Sequence, residues 1–159
     1  MGLGNYAKSN FDILNSVRDK VQSIQDVIYP TLKDVINSNA SVLKEIQNKD
    51  QLFNKGQDSK GITIKPSYTK KTISIKLRKG QPTDRVTLND TGSFYQSVQF
   101  IGDDDKLVIL AKVDYAAYLT KRYGKAILGI QDMNFEKFYN QYIVPELTEN
   151  INSIIESVI

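Results

Sequence analysis

Leu14, Val17, Val21, Ile24 and Ile28 recur at alternating steps of three and four residues. That spacing lays them along one stripe of an α-helix, and it predicts a helix over about residues 10–28. Ser9 and Asp12 sit ahead of the run like a capping box. An apolar stripe of this kind has to be covered, either by the domain core or by a neighbouring subunit. Leu14, Val17, Val21 and Ile24 are therefore candidate interface residues, with packing inside the chain as the plainer alternative. Pro30 suits the first turn of a second helix. Leu32, Val35, Ile36, Leu43 and Ile46 carry that helix to about residue 53, with Asn37-Ser38-Asn39 as a weak point near 38.

A chain of 159 residues is expected to form one domain and to bury a core without covalent staples. We divide it into a helical region over 1–53, an α+β core over 54–131 and a C-terminal helix over 132–159. No apolar run is long enough to cross a membrane, and no signal pattern opens the chain. Tyr6 stands where a myristoylation site needs Ser or Thr, so the expected starting compartment is the cytosol. The sequence has neither Cys nor His. Thiol chemistry is excluded, and the commonest general base and transition-metal ligand are missing. Consecutive carboxylates at Asp103-Asp104-Asp105 point different ways on a tight turn and are read as that turn, not as a metal site. No cofactor or metal is expected.

The net charge is only +3, but its distribution is uneven. Lys60, Lys65, Lys70, Lys71, Lys76, Arg78, Lys79 and Arg85 fall in one stretch, with Asp84 as its lone acid. Lys70, Lys71, Lys76, Arg78 and Lys79 are candidate contacts to DNA or to an acidic partner. A solvated face is the alternative, since Tyr68 is the one aromatic residue interleaved there. Thr72 to Leu77 alternates like a strand, yet Ser67 or Thr69 could cap a short basic helix, so 69–79 stays open between the two. Val86-Thr87-Leu88 reads as short and extended. Phe94–Ile101 and Lys106–Val113 flank a Gly-Asp turn and predict a β-hairpin over about 94–113. Asp114 can cap a helix through Tyr115, Tyr118 and Arg122 that stops at Gly124. Asp132 or Asn134 opens a last helix with Phe135, Phe138, Tyr142, Leu147, Ile151, Ile154, Ile155 and Val158 on its apolar face, kinked at Pro145. The expected class is α+β: a small antiparallel sheet packed against helices, with long helices at both ends.

Asp90-Thr91-Gly92 matches the catalytic triplet of an aspartic protease, where two such loops bring two carboxylates together to share one proton. Ile127-Leu128-Gly129 resembles the Ile-Leu-Gly that packs behind that loop in the retroviral-type enzymes. The surroundings argue otherwise. Polar Asn89 precedes the Asp where an apolar residue belongs, and helical patterns flank the motif on both sides. A retroviral-type aspartic protease using Asp90 remains the alternative function.

A longer window fits a different setting. Pro66-Ser67-Tyr68, Lys71-Thr72-Ile73 and Arg78-Lys79-Gly80 lead into Val86-Thr87-Leu88-Asn89-Asp90-Thr91-Gly92-Ser93-Phe94-Tyr95-Gln96-Ser97-Val98. The acidic hairpin turn follows, then Asp114-Tyr115-Ala116-Ala117-Tyr118-Leu119 and Arg122-Tyr123-Gly124. In order and spacing, over about residues 50–130, this resembles the virion morphogenesis and tail-completion (neck, head–tail connector) proteins of tailed bacteriophages, the Mu G-like type. The resemblance implies a non-enzymatic structural subunit, assembled as a ring homo-oligomer at the head–tail junction. Its implied partners are the portal, connector and tail proteins of the same phage, and DNA in the channel. Its implied location is the virion, after assembly in the host cytoplasm. It also favours a helix over 69–79. Asp90, Thr91 and Gly92 then become the turn and cap of a short helix, and Tyr115, Tyr118 and Arg122 become interface candidates. The long N-terminal helical region departs from the family's pattern.

Overall fold

The computed structural model describes the backbone of residues 3–103 and 106–156, with side chains from residue 14 onward within those spans. Helix α1 (Leu3–Ser38) is followed by α2 (Ala40–Glu45), which passes into a π-helical segment, Ile46–Lys55. After a turn region come α3 (Lys70–Arg78) and the short α4 (Ser93–Ser97). Strands β1 (Val98–Asp103) and β2 (Lys106–Ala111) form one antiparallel pair. Then come α5 (Ala116–Tyr123), α6 (Asp132–Phe138), a π turn at Tyr139–Ile143 and α7 (Val144–Glu156). Helices account for 65% of the chain and the described residues form one two-stranded sheet, so the fold is α+β.

Helix α1 is longer than its periodicity predicts. It already includes Leu3, so Ser9 and Asp12 lie inside it rather than at its start, and their side chains fall outside the described residues. Pro30 opens no second helix; it sits within α1. The missing N–H frees the carbonyl four residues back, at Asp26, on an exposed turn where water can satisfy it. Packing on the following turn holds the helix together. Val35 and Ile36 are buried, and the Asn150 carboxamide donates to Thr31 Oγ1 at 3.0 Å. The weak point near 38 is real and is one residue wide. Asn39 leaves the helix while its backbone N–H and side-chain amide both donate to the Val35 carbonyl, at 3.0 and 2.9 Å.

The core is one cluster drawn from all parts of the chain. It includes Leu43 and Leu52, Ile64 and Val86, Phe94, Val98 and Phe100, and Ile127, Phe138 and Ile143. The segment 69–79 is a helix. Thr69 settles it locally, because its hydroxyl accepts the Thr72 N–H at 3.2 Å. The hairpin begins later than expected, at Val98, because Ser93–Ser97 is helical. Its register runs from Val98↔Ala111 to Asp103↔Lys106, and residues 104 and 105 lie outside the described residues. Asp114 does not cap α5: Tyr115 holds the N-cap position without a side-chain bond. Gly124 ends that helix at φ 90°, as expected. Pro145 falls at the second residue of α7, just where the π turn gives way to α-helix. Val158 lies outside the described residues.

Candidate functional site

The Asp90-Thr91-Gly92-Ser93 loop lines a cleft of about 520 Å³. One wall is Tyr68 with Thr72, Ile75 and Lys76 of α3. The opposite wall is Tyr115, Leu119 and Tyr123, on and beside α5. Leu88 and Phe94 lie at the two ends of the loop. Apolar and aromatic side chains dominate, with a few placed polar groups, which is the usual make-up of a binding cleft.

Three bonds staple the loop to the C-terminal end of α3. The Lys76 ammonium donates to the Asn89 carbonyl at 2.6 Å, Lys79 meets the Asp90 carboxylate at 2.5 Å, and the Gln81 amide donates to the Asp90 carbonyl at 2.7 Å. Asp90 therefore caps no backbone N–H with its carboxylate, contrary to the sequence reading; its charge is taken by Lys79. Thr91 comes nearer to a capping role, since its hydroxyl accepts the Ser93 N–H at 3.4 Å and lies 2.7 Å from the Ser93 hydroxyl. Gly92 meets its expectation: φ is 84°, and its carbonyl accepts the Gln96 N–H.

The basic candidates separate into two groups. Lys70, Lys71 and Arg78 are exposed on α3 and form a cationic face. Lys76 does not belong to that face. It is 5% exposed, its ammonium is shared between Asn89 and Gln81, and it lies 5.0 Å from the Tyr68 ring centroid. Lys79 is partly withdrawn by Asp90. Burial of a lysine head is tolerable only with such partners.

Below the loop, Thr87 is fully buried with no strand to pair it. Two tyrosines take the ladder's place. The Thr87 N–H donates to the Tyr68 hydroxyl at 2.8 Å, and the Tyr95 hydroxyl donates to the Thr87 carbonyl. Burial, and then the neighbouring Tyr68, push the Tyr95 phenol well above its ordinary value. Leu88, next in the chain, adopts a left-handed backbone at φ 55°.

Sequence reasoning missed a second polar system. The π-helical segment turns Gln47, Asn48 and Gln51 into the core. Gln47 donates to the Ile127 carbonyl at 2.9 Å and Gln51 to the Gly129 carbonyl at 3.1 Å. The Gln51 side-chain oxygen accepts the Gln131 N–H and the Asn134 amide. A Cβ on Gly129 would come within 2.7 Å of Ser59 Cβ. Ile127-Leu128-Gly129 is thus the strip that this carboxamide ladder grips. The one available signal was the recurrence of Leu43, Gln47 and Gln51 at four-residue steps.

Most of the interface candidates are exposed. Leu14, Val17 and Val21 are 64%, 52% and 51% exposed, while Ile24 is half-buried. Tyr115 lines the cleft, whereas Tyr118 and Arg122 face outward. Among the described residues, no cluster of acidic side chains is placed to hold a metal ion, and no helix is long and apolar enough to cross a membrane. Comparison with protein-family models, with curated proteins and with solved structures finds no match.

Proposed function

We propose that this chain is a structural subunit of a tailed-phage virion at the head–tail junction, acting as a neck, connector or tail-completion protein through ring assembly. The observation that carries the reading is the uncovered stripe of α1. Leu14, Val17 and Val21 lie on a 36-residue helix whose later turns, around Val35 and Ile36, are the ones buried in the core. Exposed apolar side chains repeating along one helix face are the usual mark of a contact made outside the chain. The ordered motifs over 50–130 supply the class of assembly. The cationic face of Lys70, Lys71 and Arg78 supplies a surface for channel DNA or an acidic neighbour.

Replacing Leu14, Val17 and Val21 together with Glu tests the assembly step. The full chain should lose its oligomer by light scattering, while its Tm stays within a few degrees, because exposed positions contribute little to the monomer's stability. An unchanged oligomer sinks the role given to the stripe. Absence of the chain from purified virions of its phage sinks the function itself.

A further inference from the structure

The cleft beside Asp90 has cations along both sides of its mouth. On α3, Ile75 lines the cleft, and Lys71 and Arg78 lie four residues before it and three after it, on the same side of the helix. Across the cleft, Tyr115 and Leu119 line the wall, and Tyr118 and Arg122 each follow one of them by three residues. Lys71, Arg78, Tyr118 and Arg122 are all exposed, so they form the two rims. The Arg122 guanidinium stands 5.4 Å from the centroid of the Tyr123 ring, which also lines the cleft.

These cations are not spent inside the chain. Neither α3 nor α5 carries an acidic residue. Asp90 on the loop is held by Lys79. Lys71, Arg78 and Arg122 enter no ion pair among the described residues. Asp114, just ahead of Tyr115, is outnumbered by the three, so the mouth favours an anion.

In the sequence the basic stretch has Tyr68 as its one interleaved aromatic residue. The fold supplies the others, by setting Tyr115 and Tyr123 opposite Tyr68 with Tyr118 on the rim. Rings in a groove between cations are how proteins hold an unpaired strand, because each nucleotide offers both a flat base and a phosphate. A duplex keeps the faces of its bases inside the stack. A peptide meets the same groove only where aromatic and acidic residues alternate. The cleft, at about 520 Å³, is large enough for a base with its sugar. We propose that the cleft between α3 and α5 binds single-stranded nucleic acid, with a base against the tyrosines and the neighbouring phosphates on Lys71, Arg78 and Arg122. Cations on both rims fit a strand that crosses the cleft better than a lone nucleotide. The site stands apart from the head–tail reading, since presence in a virion neither requires it nor excludes it.

The probe is a labelled oligothymidylate of twelve nucleotides, titrated into the full chain and followed by fluorescence anisotropy. It should bind about tenfold tighter than a duplex of the same length at the same salt, with log K falling against log salt at a slope of about −2 for three phosphates. Tyr115→Ala should raise Kd about tenfold, and Tyr115→Phe, which keeps the ring, should restore it. Arg122→Gln should make the salt slope shallower by about 0.7. Tyr115 is 45% exposed, so its replacement should leave the Tm nearly unchanged. Should a variant unfold, the comparison of strand with duplex still decides, because it uses the native chain. Equal affinity for strand and duplex, or a Tyr115→Ala variant that binds as the native chain does, overturns the proposal. So does displacement of the strand by thymidine monophosphate at equal concentration, which would make this a nucleotide site. Tighter binding of the peptide Glu-Glu-Tyr-Glu-Glu would give the cleft to an acidic protein and overturns it too.

Discussion

The Lys76 ammonium is held at 3.0 Å by the Gln81 side-chain oxygen and at 2.6 Å by the Asn89 carbonyl. Removing it strands both acceptors beside the cleft. Lys76→Ala should destabilise the fold by about 1–3 kcal/mol in urea titration, and Lys76→Met, which keeps the packed stem, by less. Lys70→Ala, on the exposed face, should change stability by less than about 0.5 kcal/mol. Tyr95 gives a pH signature. Its folded-state phenol titrates above the ordinary 10.0, chiefly because it is buried, so the folded state keeps its proton where the unfolded chain would lose it. The stability this contributes is fully present below pH 10.0 and is lost as pH rises above it. Tyr95→Phe should flatten the alkaline fall in Tm while lowering Tm at neutral pH, because the Thr87 carbonyl loses its donor. At this scale the sequence was legible where chemistry is local, as with Thr69 capping α3 and Gly92 at positive φ. It was not legible for Asp90 or Lys76, whose partners lie 11 and 13 residues away.

Among the elements, the meeting of α1 with β1 is the tightest joint. Gly102 is buried, its backbone is bonded twice to Asn37, and the backbone of Lys33 stands where a Cβ would go. Gly102→Ala has to push a helix off a strand, so it should cost about 1–3 kcal/mol and lower the urea midpoint with little change in slope. The same substitution at Gly61 meets open space and is strained only by its φ of 73°. Periodicity foretold α1 in part and a last helix that the structure divides into α6, a π turn and α7, the stop at Gly124 foretold the end of α5, and turn chemistry foretold the hairpin. The π-helical segment was not foretold: the four-residue recurrence of Leu43, Gln47 and Gln51 was its one trace, and two of those three residues are polar. Alternation in Thr72–Leu77 suited a strand as well as a helix, since a nine-residue helix presents few repeats of its period.

For the molecule as a whole, the apolar stripe and the cationic cluster sit on different helices, α1 and α3, with exposed Leu77 beside the cations of α3. The stripe of α1 belongs to assembly in our reading, and the α3 face to DNA or an acidic neighbour. If Lys70, Lys71 and Arg78 each meet a phosphate, log K for duplex DNA should fall with log salt at a slope of roughly −3. Charge reversal at those three residues should flatten it, whereas Lys76→Met should leave the slope alone. A flat response of the native chain would give that face to an acidic protein instead. The sequence by itself determined the α+β class, the long amphipathic helices and the pairing of two strands in a hairpin, because periodicity and backbone preference act over a few residues. Only the tertiary structure decided that Leu14, Val17 and Val21 stay exposed, that α1 runs through Pro30, and that Lys76 and Lys79 hold the Asn89–Asp90 loop in place. Those outcomes depend on which distant groups arrive within bonding distance, and neither spacing nor composition encodes such meetings locally.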